Sequence, residues 1–532
     1  MSEATSSHTN HEFTAMSAIW PDGAQRDSEA CVRLHGISVK EMAARFGTPL
    51  YVVDTQELTE RAHRFVSAVS EAFPYTNTHV SYAGKAFLSK EVVRLVLAQG
   101  MLVDTCSMGE MRIALAAGAP GRRLVLHGNN KSDEEIRLAV EQEFAKIVVD
   151  SPDEPERIAA IAHSLGKTAK VMLRVTVGVH AGGHEFISTA HEDQKFGVPL
   201  LPVGADRHVF DFEHDDAAES NVVEHHASQM HDATVQQVSS LYVPSGKRPD
   251  DDSAVSAAMD AVADGPAIAV LKDILSRQPD LELVGVHAHI GSQIHDANAF
   301  IESARRLMVL RKTFWATDGF LLPETDLGGG YSVAYTDDDE SMNIEDTFAH
   351  MSQAVDGINH RLGLPTPVLS FEPGRWIIAP CGVTLYRVGT VKTIHLADGA
   401  TRTYVSVDGG MSDNIRPALY GAQYTAELAN RRGADEGIEA RVVGLHCESG
   451  DILVQSVRLP ADIRRGDLLA IPVTGAYGRT MASNYNQVPI PAVAAVSADG
   501  AHLMLRRQSV DDLLELDVDE GAHQDSPSSR PA

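Results

Sequence analysis

Four cysteines in 532 residues are few, and Cys31, Cys106, Cys381 and Cys447 stand far apart with no CxxC pair among them. That spacing supports neither a disulfide framework nor a zinc ribbon. Positive charge is also scarce: 45 Lys and Arg face 73 Asp and Glu, a formal net charge of -28. A nucleic-acid-binding surface needs a basic footprint, so that class of function is not expected. Missing as well is any uninterrupted apolar run able to span a bilayer, and "MSEATSSHTNHEF" has no basic stretch leading into an apolar one. A cytoplasmic protein with no membrane or nucleic-acid partner is the expectation. What is present is the composition of an ordinary globular protein, 43% hydrophobic and 22% charged. The length allows two or three domains around a large core.

From about Val80 to Arg375, short β-rich runs alternate with helical patterns. The runs are "VSYA", "LVDT" from Leu102, "LVLHG" from Leu124, "IVVD" from Ile147, "VMLRV" from Val171, "VGVHAHIG" from Val284, "TDLGGG" from Thr325 and "VLSFEPGR" from Val368. Ser107 with Glu110, Ser132 with Glu135 and Ser151 with Glu154 have capping-box spacing, Pro152 sits where a first helical residue belongs, and Gly100 fits a C′ position. Strict alternation predicts parallel strands with right-handed crossovers, and about eight units predict a (β/α)8 TIM-like barrel. A doubly wound open sheet competes, but it gives no reason for so many polar residues at strand C-terminal ends.

After Pro380 the texture turns to short alternating strands, "CGVTLYRVGTVKTI", "TRTYVSVDGG", "EARVVGLHCES" and "DLLAIPVTGAYG", which predict an antiparallel β domain. "TPLYVVD", before Thr55, is expected to add a strand to it. The expected division is an N-terminal segment over 1–50, the barrel over 51–375, the β domain over 376–515 and a disordered tail over 516–532. The stretch from about Leu201 to Asp264 is rich in Asp, Ser and His and interrupts the fifth βα unit. Its composition predicts an insertion that is at least partly disordered. Its histidines (His208, His214, His225, His226 and His231) recur with no ligand spacing, so no metal is expected there.

Residues just past the strand C-termini form the active site of such a barrel. Lys85 stands past the first strand among Ala83, Gly84, Ala86 and Phe87. A lone lysine there is usually a surface residue, but desolvation by such neighbours would lower its pKa and suit it to a Schiff base. "DLGGGY" supplies Gly328, Gly329 and Gly330, a tight turn or a backbone cradle for an anion. In "VHAHIGSQ", His287 and His289 share one strand face and Val286, Ala288 and Ile290 the other. The apolar face should meet the helices and leave both histidines inside. "FEPGR" offers Glu372 as acceptor for a heterocycle N–H and Arg375 as a fork for a carboxylate, or the two as a structural ion pair.

Together, "YAGKA", "KFG" at Lys195 to Gly197, "HIGSQI", "DLGGGY", "EPGR", "RPALY", "CESGD" and "GAYGRTMASNYN" carry a resemblance. From roughly Thr48 to Asn486, the chain resembles the diaminopimelate decarboxylases, pyridoxal-phosphate enzymes of fold type III, the alanine racemase-like fold. The resemblance implies a barrel with a C-terminal β domain partly built from an N-terminal strand, and a homodimer with shared active sites. It implies pyridoxal 5'-phosphate as cofactor, carried by Lys85, with His289 stacked on the ring and Ser292 near the phosphate. Gly330 and the stretch Glu372, Pro373, Gly374 and Arg375 would bind it too, with Glu372 on the ring nitrogen and Tyr477 touching the cofactor. A carboxylate at that nitrogen keeps the ring protonated and a strong electron sink, which favours decarboxylation. Arg375, Arg416, Tyr420, Glu448 and Tyr477 match positions that hold the distal end of meso-diaminopimelate, and Cys447 matches the proton donor at the α-carbon.

The implied reaction is decarboxylation of meso-2,6-diaminopimelate to L-lysine, the last step of lysine synthesis. The alternative on this fold is a decarboxylase for ornithine or arginine, which would keep the acid but have no use for the extra arginines. One departure is local: the family often reads "GAYCxSMASNYN", whereas Gly478, Arg479 and Thr480 follow Tyr477 here.

Overall fold

The computed structural model describes residues 14–179, 194–212, 252–397 and 399–518. The chain divides into two compact units, Thr55–Pro380 and a second made of Met1–Asp54 with Cys381–Ala532.

In the first unit the eight predicted runs are eight parallel strands: β1 Thr78–Ala83, β2 Leu102–Thr105, β3 Leu124–Leu126, β4 Lys146–Val149, β5 Ala169–Thr176, β6 Leu281–His287, β7 Glu324–Asp326 and β8 Val368–Phe371. Each pairs with the next, and β8 returns to β1 with Phe371 opposite Val80, so the sheet closes into a barrel. β2, β3 and β4 are buried along their whole length, because one face meets the outer helices and the other fills the barrel.

The helix starts are mostly those the sequence announces. Ser132 and Glu135 form a complete capping box, and Ser107 accepts from Glu110 N–H. The Ser151 start is not realised. That helix begins at Glu154, with Asp153 as its cap, because the Glu154 carboxylate turns inward to Lys131 and the Asp150 N–H. No single helix among the described residues is long and apolar enough to cross a membrane.

The 201–264 stretch is only partly what its composition suggested. Residues 213–251 lie outside the described residues, and with them His214, His225, His226 and His231. Both flanks are built into the barrel unit. Phe210 and Phe212 are buried, and Ser253–Ala263 is a helix that buries Val255, Ala258 and Val262. Apolar residues three and four apart outweigh the acidic composition there. His208 is exposed and pairs with Asp211 at 2.7 Å.

In the second unit, Leu50–Asp54 pairs antiparallel with Gly382–His395 and parallel with Ala492–Ser497. A second parallel pair joins Thr401–Val407 to Gly437–Val443, so the sheet is mixed rather than purely antiparallel. Residues 14–38 add a small four-stranded antiparallel sheet that the sequence reading did not foresee. The tail beyond Val518 lies outside the described residues.

Candidate active site

Closing the barrel brings the C-terminal ends of all eight strands to one mouth. Lys85 lies two residues past β1, with Gly84 N–H on the carbonyl of Asp104 and Ala83 N–H on that of Pro373. Its neighbours Ala83, Gly84, Ala86 and Phe87 are buried, but Lys85 itself is exposed. The apolar residues beside it in sequence thus leave the lysine side chain open to solvent in this chain.

The glycines after β7 are demanded by close approach. A Cβ on Gly329 would lie 2.1 Å from the carbonyl oxygen of Glu372, and one on Gly330, at φ +125°, 2.6 Å from that of Gly291. Only bare backbone lets the loops after β6, β7 and β8 meet. Pro373 and Gly374 follow, and Arg375 opens a one-turn helix, Arg375–Ile378. The buried Arg375 donates to Ser292 Oγ at 2.8 Å and to Tyr335 OH at 2.5 Å.

Inside the mouth stands a group of titratable side chains, His287 and Asp104 buried, His127 and Glu372 half-buried. His287 Nε2 and His127 Nε2 lie 3.1 Å and 3.2 Å from the same oxygen of Glu372, Oε1, and Asp104 Oδ1 is 3.6 Å from His127 Nε2. Burial works against the charge on Glu372, but His287 and His127 hold its carboxyl well below the usual carboxylate range. Burial likewise works against a proton on His127, yet the carboxylates of Glu372 and Asp104 raise it to about 9. Asp104 is pushed up to about 6 by burial and by the Glu372 charge. Deeper in the barrel, Lys146 pairs with Glu324 and lies 3.4 Å from Asp326.

His289, half-buried, is different. Burial, then the charges of Lys85 and Arg174, push its imidazole well below its usual range. Gly329 N–H donates to its Nδ1 at 3.2 Å, so the neutral ring keeps its proton on Nε2.

The second unit gathers the remaining motif residues. Arg416 is buried, donates to Tyr424 OH and opens the one-turn helix Arg416–Tyr420, with Tyr420 half-buried at its end. Cys447 and Glu448 are exposed. Asn486 Oδ1 lies 3.3 Å from the Cys447 N–H, which donates to it, and 3.2 Å from His446 Nδ1. His446 Nε2 meets Ser412 Oγ at 2.8 Å, and Asp451 accepts from the N–H groups of Met411 and His446. Tyr477 is half-buried with φ +57°. The Cys447 and Asn486 motifs are thus joined by hydrogen bonds, and His446 and Asp451 tie the Cys447 motif to Met411 and Ser412.

Lys85, His289, Ser292, Gly330, Glu372, Pro373, Gly374 and Arg375 therefore share the barrel mouth, while Arg416, Tyr420, Cys447, Glu448 and Tyr477 belong to the other unit. Sequence reasoning missed Asp104, the third residue of "LVDT", and His127, which follows "LVL". Their only signal was a polar residue at a strand end, the same signal that singled out Lys85.

An amine at the rim, an anionic carboxylate inside, a neutral imidazole and a bare-backbone turn suit a ligand that joins an aldehyde, a basic heterocycle and a phosphate. The family model "Pyridoxal-dependent decarboxylase, pyridoxal binding domain" matches residues 56–236 and 264–379. The class is thus a barrel decarboxylase whose cofactor is pyridoxal phosphate. A diaminopimelate decarboxylase of Mycobacterium tuberculosis is 40% identical over 94% of this chain and 98% of its own length, and one of Bacillus subtilis is 34% identical over 93% and 97%. The crystal structure of diaminopimelate decarboxylase from M. jannaschii in co-complex with L-lysine is similar with a TM-score of 0.75 and 26% identity, over 94% of this chain and 99% of that one. The chain belongs to the diaminopimelate decarboxylase family.

Proposed function

We propose that this enzyme removes CO2 from meso-2,6-diaminopimelate to give L-lysine, acting in the cytoplasm as a homodimer with shared active sites. The observation that carries the reading is the pairing, at one barrel mouth, of the Lys85 amine with a Glu372 carboxylate held as an anion by two histidines. Pyridoxal phosphate, when bound, supplies the electron sink that accepts the pair released as the carboxylate leaves.

The chain's own residues do the rest. Lys85 offers the amine that attaches the cofactor, and Glu372 keeps the ring nitrogen protonated. The neutral His289 gives a flat surface without adding charge beside Lys85. Ser292, Gly330 and the backbone from Pro373 to Arg375 receive the phosphate side. Arg375 and Arg416 match the distal carboxylate, and Glu448, with Tyr420 and Tyr477, the distal ammonium end. The Cys447 thiol delivers a proton to the α-carbon, whose bond to the departing CO2 has broken. A decarboxylase for ornithine or arginine would have no carboxylate for Arg416 to meet. The four cysteines are free thiols, in keeping with a reducing compartment.

The test is CO2 release from purified enzyme given meso-diaminopimelate, L-lysine, ornithine or arginine. Only the first should release CO2, with one L-lysine formed per CO2; comparable release from ornithine would overturn the assignment.

A further inference from the structure

Glu372 is more tightly engaged than a cofactor partner needs to be. His127 reaches it from the loop after β3 and His287 from the end of β6, and both bring Nε2 close to one oxygen, Oε1, at 3.2 Å and 3.1 Å. The two rings stand edge to face, 5.3 Å between centroids. Both ring nitrogens of His287, Nε2 of His127 and Oε1 of Glu372 are buried and make no hydrogen bond among the described residues. The two Nε2 atoms meet at Oε1, and a further polar atom close to them is Asp104 Oδ1, 3.6 Å from His127 Nε2.

The surroundings make the charge balance decisive. Asp104 faces the same histidine, and Asp326 lies one strand over, opposite His287 in the β6–β7 ladder. On the cationic side, Lys146 is committed to Glu324 and Asp326, and Arg174 stands 3.9 Å from Asp150. Without a protonated imidazole on it, Glu372 would be a buried carboxylate among other carboxylates, and such a group takes up a proton instead. A protonated Glu372 has lost the charge that answers a ring N–H.

We propose that His127 and His287 are positioning residues that clamp Glu372 through Oε1, hold it as an anion, and leave its other oxygen for the ring nitrogen of the cofactor. This rests on the reading of Glu372 as the partner of that nitrogen. The histidines need touch neither cofactor nor substrate; they act through the carboxylate.

The test compares the full-length chain's affinity for pyridoxal phosphate with its affinity for an analogue in which CH replaces the ring nitrogen. Glu372→Gln should weaken pyridoxal phosphate about tenfold, the scale of one charge-assisted hydrogen bond, and change the analogue little. The His127→Asn/His287→Asn double variant should show the same selective loss, and adding Glu372→Gln to it should cost nothing more. If Glu372→Gln discriminates between the ligands but the histidine variants weaken both alike or neither, the clamp is wrong while the ring-nitrogen reading stands. If Glu372→Gln does not discriminate, that reading fails and takes the clamp with it. Should the histidine variants not fold, isotope-edited infrared of the wild-type carboxylates decides. The band lost in Glu372→Gln should be that of a carboxylate at pH 6, and a protonated carboxyl band there overturns the proposal.

Discussion

An exposed amine above a buried anion is the chemistry the barrel mouth offers an aldehyde-bearing ring, and the two groups answer to different tests. Lys85→Ala removes the amine and leaves the packing of Ala83, Ala86 and Phe87 beneath it in place. Turnover should vanish, and borohydride should no longer fix a pyridoxyl group to the protein. Lys131 is no substitute, because its Nζ is committed to the Gly128 carbonyl and the Glu154 carboxylate. Mass spectrometry that finds the reduced cofactor on Lys131 or Lys90 would refute the assignment. Lys85 and Glu372 were legible in the sequence because each sits in a short motif at the end of a β run. Parity along "VHAHIG" put His287 inside for the same reason. The partnership of His127 with Glu372 was not legible: β3 and β8 lie far apart in the chain, and only barrel closure sets their side chains 3.2 Å apart.

The elements around these residues carry tests of their own. Asp413, in the loop after Thr401–Val407, is buried, accepts from Tyr386 OH and Gly410 N–H, and is pushed up to about 7, chiefly by burial. A carboxyl raised from its ordinary 3.8 binds its proton more tightly folded than unfolded. Its contribution to stability is thus complete below 3.8 and lost as pH rises through about 7. Asp413→Asn copies the neutral form. By denaturant melts at pH 5 and pH 8 it should gain on the wild type as pH rises, by at most about 3 kcal/mol. Parallel pH dependences in the two proteins would show that Asp413 does not titrate in this range.

The 201–264 stretch illustrates how far composition reads an element. Its polar middle hid two apolar flanks, and both end on one side chain. The Arg361 guanidinium lies 4.9 Å from the centroid of the Phe212 ring, and Arg361 Nε is 2.8 Å from Asp252 Oδ2. Replacing residues 213–251 by a short Gly/Ser bridge should therefore leave the melting temperature nearly unchanged, since closure entropy varies slowly with loop length. A protein that no longer folds would show the segment to be structural.

At the scale of the whole molecule, alternation of β and helical runs declared the barrel, because every βα unit repeats the same local signal. The second unit was harder. Leu50–Asp54 lies parallel to Ala492–Ser497, and pairing between such remote segments leaves no periodicity to read. The motif residues divide in the same way, Lys85 in one unit and Cys447 in the other. If the enzyme is a dimer whose sites are shared, with Cys447 and Glu448 of one chain serving Lys85 of the second, mixing two dead variants restores activity. Lys85→Ala and Cys447→Ala homodimers should each be inactive or nearly so, one lacking the amine and the other the proton donor. After subunit exchange, a hybrid holds one site with both mutations and one with neither. Random reassortment makes about half the dimers hybrids, so roughly a quarter of all sites become wild type, as an isologous twofold interface requires. Sites built from a single chain would each keep one mutation, whatever the mixing. Recovered activity near a quarter of the wild-type value supports the shared site, and activity that stays at the sum of the two parents after verified exchange rules it out.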